Sequence, residues 1–139
     1  MATMTMHAIG SIESKTWDFQ AWDEIEGARL CRMTATDLFH GDIEGEARGE
    51  FSALLRGDGS SSFAGLYVVR GGVGRRQGSF VLRATGSSGT DGMSCGEWSV
   101  IEGSATDELV GLYGTGEFVY LAGQRSSLTL DYDFTPASD

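Results

Sequence analysis

Residues 63–86, FAGLYVVRGGVGRRQGSFVLRATG, decide the fold. The stretch reads as two strands joined by a glycine-rich turn. In a strand, successive side chains point to opposite faces. Phe63, Gly65, Tyr67 and Val69 therefore share one face of the first strand, and Phe80, Leu82 and Ala84 share one face of the second. Gly71, Gly72, Gly74 and Gly78 between them suit a turn better than a strand interior.

The same period runs outward in both directions. Residues 7–19, HAIGSIESKTWDF, read as a first strand, and the following AWDEIEGA as an acidic connection. Residues 29–40, RLCRMTATDLFH, form a second strand. Its apolar face is Cys31, Met33, Ala35, Asp37 and Phe39, with Asp37 the odd member. After the turn Gly41-Asp42-Ile43-Glu44-Gly45, residues 46–56 alternate cleanly, with Ala47, Gly49, Phe51, Ala53 and Leu55 opposite Glu46, Arg48, Glu50 and Arg56. One packed face and one wet face is the signature of an antiparallel sheet.

Downstream of the hairpin, SCGEWSVI (94–101) puts Gly96, Trp98 and Val100 together. EGSATDELVGLYG (102–114) is one long irregular connection crossing an end of the sheet. TGEFVYLA (115–122) and SLTLDYDF (127–134) are the last two strands, the latter aligning Leu128, Leu130, Tyr132 and Phe134. Helical periodicity is absent. Eight consecutive strands with short links make a meander, and a meander of eight closes into a barrel without exposed edges. The expected fold is all-β: one domain over 1–139, a single closed eight-stranded antiparallel meander barrel. Such a barrel is either packed solid or encloses one small ligand.

Composition narrows the function. Glycine occurs 21 times and proline once, which suits many short turns and bulges rather than disorder. A formal net charge of −10 argues against nucleic acid or an anionic membrane as partner, since both need a basic footprint. MATMTMHAIG has no basic segment ahead of an apolar one, so an export leader is not expected. No apolar run reaches membrane-spanning length. Cys31 and Cys95 fall in different strands and are expected as free thiols of a cytoplasmic protein. No Cys/His/carboxylate spacing fits a metal, and neither metal nor cofactor is expected.

Tyr67 sits mid-strand on the inward face, beside the space that the small Ala84 leaves. A phenol there can hydrogen-bond a ligand carbonyl or a developing enolate; the alternative is a core tyrosine bonded to backbone. Asp37, if desolvated, has a raised pKa and can act as general acid or base; if it lies at a rim, it is merely solvated. Met33, Phe51, Phe80, Leu82, Ala84, Trp98 and Tyr132 are the candidate pocket lining, against the plainer reading of an ordinary core. Trp17 and Trp22 flank the first connection as candidates for the pocket mouth. Arg83 and Glu97 are expected as a cross-strand surface pair.

The run Gly78-Ser79-Phe80-Val81-Leu82, the turn Gly41-Asp42-Ile43-Glu44-Gly45 and the later GSATDELVGLYG resemble an uncharacterised bacterial family, domain of unknown function 3224. The resemblance spans the chain from Trp17-Asp18 to the terminal DYDF. It implies a small closed barrel like that of the plant allene oxide cyclases, which are cofactor-free and cyclise a reactive fatty-acid epoxide, and a shape shared with the lipocalin-like (calycin) carriers. The chain departs from the family pattern at three places: Tyr67 replaces a glutamate, Ala84 replaces a histidine, and Ser104-Ala105-Thr106-Asp107-Glu108-Leu109 replaces a loop like SGTGEL.

The expected function is a cofactor-independent isomerase or cyclase acting on a mostly apolar small molecule, such as a secondary metabolite, with Tyr67 and Asp37 as its polar groups. The alternatives are a lipocalin-like carrier of a hydrophobic ligand and a solid structural barrel. The expected partner is that small apolar molecule, with homo-oligomerisation left open.

Overall fold

The structure, a computed structural model, describes residues 6–121 and 126–136. The first residues of MATMTMHAIG, and Ala122 at the end of the expected seventh strand, lie outside the described residues. Eight strands follow in order: β1 (Met6–Ile25), β2 (Ala28–Gly41), β3 (Ile43–Leu55), β4 (Ser61–Val73), β5 (Arg76–Ser88), β6 (Ser94–Val100), β7 (Leu112–Tyr120) and β8 (Ser126–Phe134). Each pairs antiparallel with the next. β8 returns to β1, Met6 opposite Tyr132 through Ile12 opposite Ser126, and closes the sheet into a barrel.

The inward faces are the ones that period two assigns. Phe39, Ala47, Phe51, Tyr67, Val69, Phe80, Leu82, Ala84, Trp98, Leu128 and Leu130 all fall in one buried cluster. Burying that set is the main force closing the ring. Cys31 is buried and Cys95 exposed, and both are free thiols. No helix among the described residues is long and apolar enough to cross a membrane.

The two ends of the barrel differ. At one end a 3-10 turn, Asp107–Leu109, carries the fully buried Leu109 over the core. β6 is short, so β5 lacks a strand partner near this end. The irregular connection takes that place: Thr106 N–H donates to the Ser79 carbonyl at 2.9 Å, and Val81 N–H to Ser104 Oγ at 3.1 Å. At the other end β1 and β2 run on together as a hairpin beyond the point where β8 stops. The stretch AWDEIEGA is thus not a connection but the tip of this hairpin. Its two-residue turn, Glu26-Gly27, has positive φ at both positions (44° and 84°), which matches the twist of paired strands. Acidic residues hid the strand because this segment faces solvent on both sides.

Three further expectations change. The glycine-rich turn of the central hairpin is only Gly74-Arg75, while Gly71, Gly72 and Gly78 lie in paired strand. Gly71 and its β3 partner Gly45 let two backbones meet where side chains cannot fit: a Cβ on Gly45 would stand 2.2 Å from the Arg70 carbonyl oxygen. The connection after β6 is shorter than 102–114, since β7 starts at Leu112. Arg83 and Glu97 are not opposite each other: the register sets Arg83 against Ser99 and Glu97 against Thr85. No ion pair joins them among the described residues, because β6 is offset by two positions from the assumed alignment.

Candidate active site

The end bearing the β1–β2 hairpin is open, and a cavity of about 260 Å³ descends from it into the barrel. Its walls are mostly apolar: Met33, Ala35, Phe51, Ala53, Phe63 and Phe118, with Trp17 and Phe19 on the hairpin above. Those two rings meet edge to face, their centroids 5.0 Å apart. They reach the cavity because the irregularity between Ser14 and Thr16 shifts the alternation of β1 by one residue, which sets Trp17 opposite Ala35 and Phe19 opposite Met33. Trp17 sits at the mouth as expected; Trp22 falls on the outer side of the same strand, in a depression with Arg32 and Glu50.

Three polar side chains from three strands converge on the cavity wall. Asp37 (β2), Tyr67 (β4) and Tyr120 (β7) form a triangle of oxygens. Tyr67 Oη is 3.0 Å from Asp37 Oδ2, Tyr120 Oη is 2.9 Å from that same oxygen, and the two phenol oxygens are 2.8 Å apart. Ser14, the cross-strand neighbour of Asp37, also hydrogen-bonds the carboxyl. Asp37 is 2% exposed and Tyr67 4%, so the rim reading of Asp37 and the backbone-bonded reading of Tyr67 both give way.

Local sequence explains why Tyr67 stands where it does. Gly49 lies opposite it on β3. A Cβ there would meet Phe51 Cε2 at 2.5 Å and Tyr67 Cε1 at 2.8 Å, so the absent side chain is the room that both rings occupy. Three aromatic neighbours then fix the phenol, with centroids at 4.9 Å (Phe51), 6.0 Å (Trp98) and 6.1 Å (Phe39). Edge-to-face contacts of this kind restrict the ring as well as bury it.

Burial raises the Asp37 pKa above the ordinary carboxylate value, and the hydrogen bonds from Tyr120, Tyr67 and Ser14 offset part of that rise. Both phenols are pushed well above the usual tyrosine range, by burial first. They stay protonated and available as donors at any physiological pH. No Lys, Arg or His side chain lines this cavity. No group of three or more metal-ligating side chains occurs among the described residues.

A model of the DUF3224 protein family, a family of unknown function, matches residues 8–132. The chain belongs to the DUF3224 family. A crystal structure of a DUF3224 protein of unknown function from Shewanella oneidensis MR-1 superposes with a TM-score of 0.77 at 26% identity. The match covers 95% of this chain and 98% of that one. No curated protein matches.

Within this DUF3224 chain the candidate residues separate into two groups. Asp37, Tyr67, Met33 and Phe51 line the cavity. Phe80, Leu82, Ala84, Trp98 and Tyr132 do not. Leu82 and Ala84 are fully buried and Phe80 is 1% exposed; Tyr132 lies toward the closed end, its hydroxyl beside Gly74. The space beside Ala84 is filled, because Trp98 is its cross-strand partner on β6. Trp98 is held there by its indole N–H, which donates to the Thr129 carbonyl at 3.0 Å. Tyr67 and Ala84 are diagonal neighbours, Tyr67 standing opposite Leu82 and Ala84 opposite Gly65.

Tyr120 is the site residue that sequence reasoning missed. Period two counted from Leu112 places Phe118 and Tyr120 on the inward face of β7, so its inward direction was readable. Its meeting with a β2 carboxylate 83 residues away was not.

Proposed function

We propose that the protein is a cofactor-independent isomerase acting on a mostly apolar small molecule held in the open end of the barrel. The observation that carries this reading is the Asp37–Tyr67–Tyr120 triangle on the wall of an apolar cavity. A desolvated carboxyl with a raised pKa, hydrogen-bonded to two phenols, is a working acid–base set. A carbonyl oxygen seated at the cluster takes a proton from Tyr67 or Tyr120, and the Asp37 carboxyl proton replaces it on the phenol. The Asp37 carboxylate so formed removes a proton from the carbon next to the carbonyl. The C–H electron pair becomes the enol double bond, and the proton count is unchanged. In a substrate whose enol is conjugated to a second double bond, Asp37 delivers its proton to the far carbon. The enol O–H gives its proton back to the phenol and, through it, to Asp37, which restores the carbonyl, the acid and the starting proton count. Cyclisation of a reactive substrate draws on the same acid and on enclosure by the walls. The meander topology and cofactor-free chemistry also fit an allene-oxide-cyclase-like barrel, and the acidic composition fits a cytoplasmic setting.

The test is α-carbon exchange of acetophenone and 1-indanone in deuterated buffer, followed by mass spectrometry. General acid–base catalysis is worth about 10²–10⁴ in rate. Wild type is expected to accelerate exchange at least ~100-fold, and Asp37→Asn to remove the acceleration. No acceleration over buffer refutes the isomerase. The second reading is a carrier. It is favoured by the closed pattern of the triangle, in which all three oxygens already have partners.

A further inference from the structure

The triangle has an arithmetic of protons. Three oxygens at mutual separations of 2.8, 2.9 and 3.0 Å make three hydrogen bonds only if three hydrogens lie between them. The two phenols supply two. With Asp37 ionised, one pair of oxygens faces lone pair to lone pair at hydrogen-bond distance, buried, which is repulsive. With Asp37 as the carboxylic acid, the third hydrogen is present and the ring of donors and acceptors closes. The cluster then carries no net charge. It opens to a ligand by turning one phenol O–H outward and accepting in return.

The rest of the cavity agrees. Its other polar side chains are hydroxyls: Ser14, Ser61, Ser88 and Ser94. No cation faces it, so a carboxylate brought in would be desolvated without a counter-charge, which is very costly. An apolar cavity of about 150 Å³ accepts benzene; at about 260 Å³ this one suits one or two fused rings.

We propose that the cavity selects a neutral one- or two-ring molecule bearing a hydroxyl or carbonyl oxygen, and rejects both carboxylates and ammonium ions of the same shape. This rests on the reading above only in taking the cavity as the ligand site; it does not require turnover. It also separates this chain from any barrel whose ligand is a fatty acid, because the acid headgroup has no partner here.

The experiment is calorimetric titration at neutral pH with 2-naphthol, 2-naphthoate and 2-naphthylmethylammonium, three probes sharing one ring system. The expected result is binding of 2-naphthol at least ~10-fold tighter than either ion, since an unpaired buried charge costs more than a lost hydrogen bond. Tyr120→Phe, with its fold checked by circular dichroism, should weaken 2-naphthol by about tenfold. Ala35→Phe, which fills the cavity, should abolish its binding. Equal or tighter binding of 2-naphthoate overturns the proposal, as does absence of 2-naphthol binding. Preference for the ammonium overturns it too, by showing Asp37 ionised. The outcomes are separable: selective 2-naphthol binding without ketone exchange removes the isomerase alone, whereas exchange with carboxylate preference removes this inference alone.

Discussion

Gly49→Ala adds one methyl group where sequence, packing and site meet. Two effects oppose each other. Alanine restricts the unfolded chain more than glycine does, which stabilises by about 0.4–1 kcal/mol where the backbone tolerates it. Against this, the new Cβ would stand 2.5 Å from Phe51 Cε2 and 2.8 Å from Tyr67 Cε1, where ordinary contact begins at 3.4 Å. One ring must retreat by 0.9 Å (3.4 less 2.5) and the other by 0.6 Å (3.4 less 2.8). Overpacking of this kind costs about 1–3 kcal/mol, so strain wins and a net loss of about 1–2 kcal/mol is expected. For a chain of this size that is a fall in Tm of about 3–6 °C. Both rings line the cavity, so the easiest retreat is into it. That movement draws the Tyr67 hydroxyl away from Asp37 Oδ2 and narrows the ligand space. The assay is urea denaturation together with 2-naphthol titration. Gly57→Ala is the control, since its added Cβ meets only the Gly27 carbonyl oxygen at 3.4 Å. A Gly49→Ala protein as stable as the control, with unchanged 2-naphthol affinity, refutes the reasoning.

Two more perturbations probe the same end of the barrel. Ala84→Phe puts a ring into filled core against Trp98 and should destabilise by about 1–3 kcal/mol or more, whereas Ala35→Phe enters the cavity and should leave the melting curve within about 1 kcal/mol of wild type; equal losses in both would deny the cavity. The Asp37 pKa is raised on folding from 3.8, so the native state holds this proton more tightly than the unfolded chain. Its contribution is full below pH 3.8 and is lost as pH rises through the native pKa. Wild type should therefore lose stability relative to Asp37→Asn over that rise, and stability curves that stay parallel would show that Asp37 is not desolvated.

Much of the barrel is legible along the chain because strand alternation is local. Each inward set from Cys31 to Phe39, from Ala47 to Leu55 and from Phe63 to Val69 follows from neighbours two apart, and hydrophobic burial then leaves little choice of face. The direction of Asp37 and Tyr67 is read in the same way. The β1–β2 tip escapes this reading, since a segment wet on both faces shows no alternation. The site itself escapes for a different reason. Which inward residues share a level of the barrel depends on strand register and on closure of β8 onto β1, and both are set by pairing across the whole sheet. Those pairings bring Tyr120 to Asp37 and Tyr67. They also place Trp98 against Ala84, filling the space that its small side chain suggested, and leave the open volume one level higher, beneath Trp17. The sequence determines which side chains enter the barrel; only the tertiary structure decides which of them meet, because register and closure are collective properties of eight strands.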